Sequence, residues 1–239
     1  MALTDQSTRI RSGEELDASL IDPYLKAHIP GLTGTPQISQ FPGGASNLTY
    51  LLEYPDQEFV LRRPPFGHKA KSAHDMGREF RILNQLRDGF PYCPKAYVHC
   101  TDDSVIGAEF YVMERVKGII LRSDLPPELG LDSAKTEALC KSFIDRFVEL
   151  HRVDYNACGL GDLGKPEGYV ARQIKGWSER YEKALTPDAP HWEQVKAWLN
   201  DKMPADHPTS SIVHNDYRFD NVILDPNNPM QIIGVLDWE

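Results

Sequence analysis

Residues 214–225 read HNDYRFDNVILD. A histidine, two acids, an arginine and two asparagines are interleaved with two aromatic side chains, Tyr217 and Phe219, and run straight into Val222-Ile223-Leu224, with a third acid, Asp225, behind them. The β-branched run has the character of a buried strand, so the polar residues in front of it form the rim of something rigid. Asn221 lies five residues after Asp216. A turn sequence, DPNNP at 225–229, separates the strand from a second apolar run, and Asp237 ends that run in VLDWE at 235–239.

An aspartate, an asparagine five residues on, and a second aspartate one hairpin later form the residue set that phosphoryl transfer of the protein-kinase type needs. The attacking hydroxyl must be oriented and relieved of its proton, which is the role of a carboxylate at Asp216. The transferring phosphate needs Mg²⁺, which takes hard oxygen ligands. The amide oxygen of Asn221 and the carboxylate of Asp237 are of that type. Alone, HNDYRFDN also reads as an Asx-rich surface turn. The position of VLDWE, one hairpin downstream, decides against that. His214 is read as a brace for the loop, and Asp220 and Asp225 as turn and rim residues.

The preceding chain is read against this site. FPGGASN at 41–47 joins two strand-like runs. Gly43 and Gly44 allow backbone amides close to phosphate oxygens, and Ser46 and Asn47 add side-chain donors. In EFVLRR (58–63), strand alternation puts Val60 and Arg62 on one face and Leu61 and Arg63 on the other. Val60 then lies under an adenine and Arg62 reaches the phosphates. Arginine stands where kinases usually keep lysine; it retains the charge, and its planar fork suits phosphate. The helical stretch 74–88 carries Met76, Phe80, Leu83 and Leu86 at helical spacing, and Glu79 falls inside that arc. A carboxylate on a buried face needs a cation, and Arg62 is the candidate. FYVMERVKG (110–118) reads alone as an ordinary strand running into a loop.

The remaining segments complete the element order. Residues 1–12 are polar and expected to be loose, and a helix is expected from Glu14 to His28. Further strands are expected within 35–41, 48–54 and 211–214, and helices over 133–153, 169–185 and 191–199. Leu139, Phe143, Phe147 and Leu150 mark one helix face. Val170, Ile174, Trp177 and Tyr181 mark another, and the tryptophans are read as helical core. The basic loop with Arg63, His68, Lys69 and Lys71 is read as solvated or as a landing point for an anionic substrate.

Bulk properties agree with such an enzyme. The 239 residues carry 26 basic and 35 acidic side chains, a net charge of -9, which opposes a nucleic-acid surface. The four cysteines form no CxxC pair, consistent with reduced thiols in a cytoplasmic protein. No apolar run approaches the ~18 residues a membrane span requires.

HNDYRFDNVILD with VLDWE resembles the aminoglycoside phosphotransferase superfamily of small-molecule kinases. FPGGASNLTYLLEY, FVLRRPP, AHDMGREFRIL and FYVMERVKG resemble, within it, the kinase-like domain found alone in bacteria and fused to some acyl-CoA dehydrogenases. The resemblance covers residues 14–239. It implies an α+β, bilobal, protein-kinase-like fold: an N-terminal helical extension over 1–30, a small sheet lobe with one helix over 31–116, and a mainly helical lobe with the catalytic hairpin over 117–239. It implies that FYVMERVKG is the last strand of the small lobe followed by a hinge, with Met113, Glu114 and Val116 along the adenine edge. It implies ATP and Mg²⁺ as cofactors and a hydroxylated small molecule as acceptor, with a link to acyl-CoA metabolism. Aminoglycoside, choline, sugar and homoserine kinases share these motifs, and a nucleotide-binding pseudokinase is the reading of another class. More helices normally follow the second aspartate in this superfamily, so an ending at Glu239 is expected to mark a truncated product.

Overall fold

The computed structural model describes residues 4–42, 47–66, 75–122 and 125–238. Five strands, β1 (Gln37–Gln40), β2 (Leu48–Glu53), β3 (Glu58–Arg63), β4 (Ala96–Cys100) and β5 (Phe110–Glu114), form one antiparallel sheet in the order β1-β2-β3-β5-β4. Helix α1 (Ala18–His28) precedes the sheet, and α2 (Met76–Leu86) lies between β3 and β4.

Alternation along the strands builds two separate cores. Tyr50, Leu52, Phe59, Leu61, Phe110 and Val112 point to one face and pack with Ile21 and Leu25 of α1. Their neighbours Leu51, Val60, Tyr111 and Met113 point to the other face, against Met76, Ile82, Leu83 and Leu86 of α2. The sheet is thus buried on both sides, and its strands read as nearly continuous apolar runs for that reason. Asp17 caps α1 by accepting from Ser19 N, and Asp75 caps α2 by accepting from Arg78 N. The capping aspartate at 17 is why α1 starts at Ala18 and not near Glu14.

The second half is mainly helical: α3 (Ser133–His151), α4 (Tyr169–Ala184) and α5 (Glu193–Asp201), followed by a hairpin of β6 (Val222–Leu224) and β7 (Ile232–Val235). No described helix is long and apolar enough to cross a membrane.

Four expectations are corrected. Residues 211–214 form no strand; only Ile212 and His214 are buried there. AYVHC at 96–100 is a strand that the sequence reading passed over, although Val98 and Cys100 alternate with Tyr97 and His99 after Pro94. Residues 4–11 are not loose. Thr4 bridges Ile119, Thr8 exchanges both backbone hydrogen bonds with Gln40, and Arg11 N donates to Gln40 Oε1. Finally, α4 and α5 bury no residue fully among those described. Trp177, Trp192 and Trp198 are 63%, 56% and 60% exposed, so they are not core. Ile174, Trp177, Tyr181, Trp192, Val195 and Leu199 line an apolar groove between these two helices. Helical periodicity identifies which side chains share a face, but not whether another element covers it.

Candidate active site

A cleft of about 400 Å³ opens between the sheet lobe and the β6–β7 hairpin, within the size range of small-ligand sites. Its apolar lining includes Val60 from β3, Met113 from β5 and Ile223 from β6, and its polar lining includes Arg62, Glu79, Asn221 and Asp237. Two strands, one helix and one hairpin therefore converge on it.

Arg62 is the centre of the polar side. Its Nη1 donates to Glu79 Oε1, and its Nη2 donates to Asp237 Oδ1 at 3.2 Å. Glu79 is 2% exposed, Arg62 11% and Asp237 33%, so the ion pair runs from the interior to the cleft wall. Arg63, its neighbour on the strand, turns the other way, as alternation requires. It donates to the carbonyls of Pro64 and Ile106 and lies over the Phe66 ring. Tyr111 stands opposite Arg62 in the strand register and is fully buried, and burial next to the Glu79 carboxylate drives its phenol well above the usual range.

The hairpin end of the cleft is built by local bonding. Residues 219–221 make one 3-10 turn, which Asn221 N closes by donating to Arg218 O at 3.0 Å. Leu236 N then donates to Asn221 O at 2.8 Å, joining the end of β7 to the start of β6. Trp238 is buried, donates from Nε1 to Val235 O, and packs against His214 and Phe90. Asp237 is thus held between two anchored neighbours, with a left-handed backbone of φ 68°.

Asp216 sits just outside this cleft. It is exposed and does not line the cavity, but Asn221 Nδ2 donates to both its backbone oxygen and its Oδ2 at 3.0 Å. With its nitrogen turned that way, the Asn221 amide presents its oxygen on the opposite side. The loop rests on α3: Tyr217 stacks on Phe147 and donates its hydroxyl to Phe143 O, and Phe219 stacks on Phe143. His214 is buried, and its Nε2 lies 2.9 Å from Leu236 O. That acceptor requires a proton on Nε2. Burial holds the imidazole below its ordinary pKa, against the opposing pull of the Leu236 carbonyl and the Asp237 and Asp216 carboxylates.

The hinge is partly committed. Glu114 N donates to Lys95 O, and the Glu114 carboxylate accepts from Arg87 and from Lys95 N. The hinge backbone groups left as candidates to meet a ligand edge are therefore those of Arg115 and Val116, which also line the cleft. Asn47 is buried and does not line the cavity. Gly43, Gly44 and Ser46 lie outside the described residues, as do His68, Lys69 and Lys71. Sequence reasoning missed Thr4, Asp5, Gln6, Ile223 and Arg122 as lining residues. Only Ile223 carried a signal, as the middle residue of a buried strand that follows the loop from His214 to Asn221.

Comparison with known proteins agrees with this architecture. The family described as "Phosphotransferase enzyme family" matches residues 37–239. Acyl-CoA dehydrogenase family member 11 of Gallus gallus is 34% identical over 244 residues, an alignment that covers the whole chain but 31% of the relative. The chain thus spans about a third of the length of that curated relative. The crystal structure of an assigned aminoglycoside phosphotransferase of Ralstonia eutropha superposes with a TM-score of 0.81 at 34% identity, over 94% of this chain and 65% of that one. A thermostable mutant of aminoglycoside phosphotransferase APH(4)-Ia, solved with AMP-PNP and hygromycin B, shares the fold at a TM-score of 0.58 and 12% identity, over 92% of this chain and 71% of that one. With the kinase-like sheet lobe, the cleft and a family match over most of its length, this chain belongs to the phosphotransferase enzyme family that includes the aminoglycoside phosphotransferases.

Proposed function

We propose that the chain is an ATP-dependent kinase of small molecules that transfers the γ-phosphate to an acceptor hydroxyl. The observation that carries this reading is the arrangement of Arg62. One guanidinium joins a buried glutamate of α2 to Asp237 of the hairpin, in a cleft that Asn221 also lines.

Each group then has a task. Val60, Met113 and Ile223 give the adenine apolar surroundings, with Arg115 and Val116 along the hinge. Arg62, held in place by Glu79, faces the phosphates, and Gly43, Gly44 and Ser46 are the residues assigned to cover them; Asn47, buried outside the cleft lining, is not. Asp216 accepts the hydroxyl proton and orients the oxygen for attack on the γ-phosphorus. The bond from that phosphorus to the β,γ-bridging oxygen breaks, and ADP leaves. Asn221 steadies the Asp216 carboxylate through its amide nitrogen. Its oxygen, with the Asp237 carboxylate, is the donor set for Mg²⁺, which when bound neutralises phosphate charge.

The lining of the cleft fits a metal–nucleotide complex. It carries five acids, Asp5, Glu79, Glu114, Asp220 and Asp237, against four cations, Arg62, Arg115, Lys117 and Arg122. Arg115 and Lys117 are both paired with Glu58, and Arg122 with Asp5. With Glu58, and with Arg87 on Glu114 and Arg218 on Asp220, these charges nearly cancel, so the charge of a bound polyphosphate is left for a divalent cation to neutralise. The name of the Gallus gallus relative favours a hydroxyacyl-CoA-like acceptor over an aminoglycoside.

A second reading, nucleotide binding without transfer, draws on arginine standing where kinases keep lysine. Mg-dependent ATP turnover by the full-length protein, screened against a library of hydroxylated metabolites and CoA esters, separates the two. Phosphorylation of one acceptor class supports the kinase. Nucleotide binding with no turnover across the library supports the second reading.

A further inference from the structure

The N-terminal segment is the part of the cleft wall that the proposed function does not use. Thr4, Asp5 and Gln6 line the cavity alongside the hinge residues Arg115–Gly118. They are fastened from several directions. Asp5 N donates to Gly118 O at 3.0 Å, immediately past the hinge, and Thr4 bridges Ile119. The Asp5 carboxylate takes a two-pronged contact from Arg122, with Nε to Oδ1 at 3.1 Å and Nη2 to Oδ2 at 3.0 Å. Arg115 Nη2 reaches Asp5 O at 3.3 Å, and Gln6 Nε2 donates to Thr4 Oγ1 at 2.8 Å. Beyond the cleft, Thr8 pairs with Gln40, and Ser39 Oγ donates to Ser7 Oγ. The segment thus runs as a strap from β1 to the residues after the hinge.

We propose that this strap is a built part of the nucleotide site, and that Asp5 is its positioning residue, acting through Arg122 and Gly118. The inference rests on the nucleotide reading of the cleft. Three features support it. The strap is tied both to β1, through Gln40, and to the residues that follow the hinge, through Gly118 and Ile119. The Asp5–Arg122 contact is a fork-to-carboxylate pair, which fixes orientation as well as position. And Thr4 and Asp5 are only half-buried, so their outer surface is available to a ligand. A wall on the hinge side removes water from the nucleoside end of the ligand and adds buried contact area without adding charge to the phosphate end.

The test is nucleotide affinity in the full-length protein, by calorimetry with Mg-ADP, alongside the thermal midpoint of each variant without ligand. The variants are Asp5→Ala, Arg122→Ala, their double, and Asp5→Glu. Each alanine substitution is expected to weaken Mg-ADP binding about three- to tenfold. The double should be no weaker than either single, since both remove the same contact, and Asp5→Glu should recover most of the loss. The unliganded midpoints should shift little, because the pair is partly solvated. Wild-type binding with unchanged affinity in every variant overturns the strap proposal and leaves the nucleotide reading intact. So does a loss of affinity that only tracks a fall in the unliganded midpoint, which would make the strap a brace of the fold alone. Absence of Mg-ADP binding by the wild type overturns the nucleotide reading and the strap with it.

Discussion

Replacing Arg62 by alanine takes the cation away from a carboxylate that is 2% exposed. Buried ion pairs contribute little over a matched apolar pair, but removing one partner alone costs about 3–5 kcal/mol, because the other charge stays in a poorly solvating place. The contact from Arg62 to Asp237 adds less, since Asp237 is one third exposed, and half-solvated pairs are worth up to ~1 kcal/mol. Arg62→Ala is therefore expected to lose ~3 kcal/mol or more of unfolding free energy. Glu79→Gln leaves Arg62 its Asp237 partner at the cleft mouth and should cost about 1.5–3 kcal/mol, the usual size for a lost charged hydrogen bond. In the double variant no buried carboxylate remains, so the sum overshoots and the coupling should be ~2 kcal/mol. Arg62→Lys has one nitrogen where two are used and can hold Glu79 or Asp237 but not both; it should fall between wild type and alanine. Urea unfolding followed by fluorescence and circular dichroism, with coincident transitions required, measures all four. If Arg62→Ala cost less than ~1 kcal/mol, or if the two losses simply added, the ion pair would not be the organising contact described here.

Three further outcomes are expected. Asp216→Asn should leave Mg-ADP affinity within a few-fold, measured by calorimetry, while acceptor phosphorylation falls by about 10²–10⁴, because Asp216 stands outside the cleft lining; equal loss of both would contradict the separation of roles. Gly118→Ala should lower the thermal midpoint by the equivalent of about 1–3 kcal/mol, because a Cβ there would lie 2.4 Å from both Ile223 Cγ2 and Leu224 O; an unchanged melting curve would mean that the hinge and hairpin are not in close contact. His214 has its pKa depressed in the fold, chiefly by burial. Its contribution to stability is therefore full above the unfolded value near 6.5 and is lost as pH falls through the lower folded value. His214→Gln should flatten the slope of stability against pH below about 6.5 in denaturation curves taken at a series of pH values.

How much could be read from residues alone differs between the two lobes. The meeting of Asn221 and Asp237 on one cleft was legible because its logic is local. Asp216, Asn221 and the hairpin returning Asp237 lie within 22 residues, and strand alternation separates Arg62 from Arg63 without any tertiary information. Glu79 was legible because a charge on an apolar helix face announces a partner. The strap was not. Its residues are short and polar, and their order comes from pairing with Gln40 and Ile119, 32 and 115 positions away, which no local pattern encodes. The tryptophans of α4 and α5 failed for the opposite reason. Their spacing is that of a buried face, and the described residues contain only each helix's partner across a groove. AYVHC was overlooked because a five-residue strand with a histidine in it has little periodic signal, and its place is fixed by pairing with β5 and packing of His99 under Phe80 of α2.

The backbone at Asp237 has a longer-term consequence. A non-glycine residue at φ 68° is held in a region where an L side chain costs about 1–2 kcal/mol. Glycine at 237 would relieve that cost and delete the carboxylate in one step. On the metal-binding role proposed for Asp237, laboratory evolution that rewards only thermal endurance should therefore drift toward hairpins that lack this carboxylate, and a stabilised lineage has to be screened for phosphate transfer from its first round.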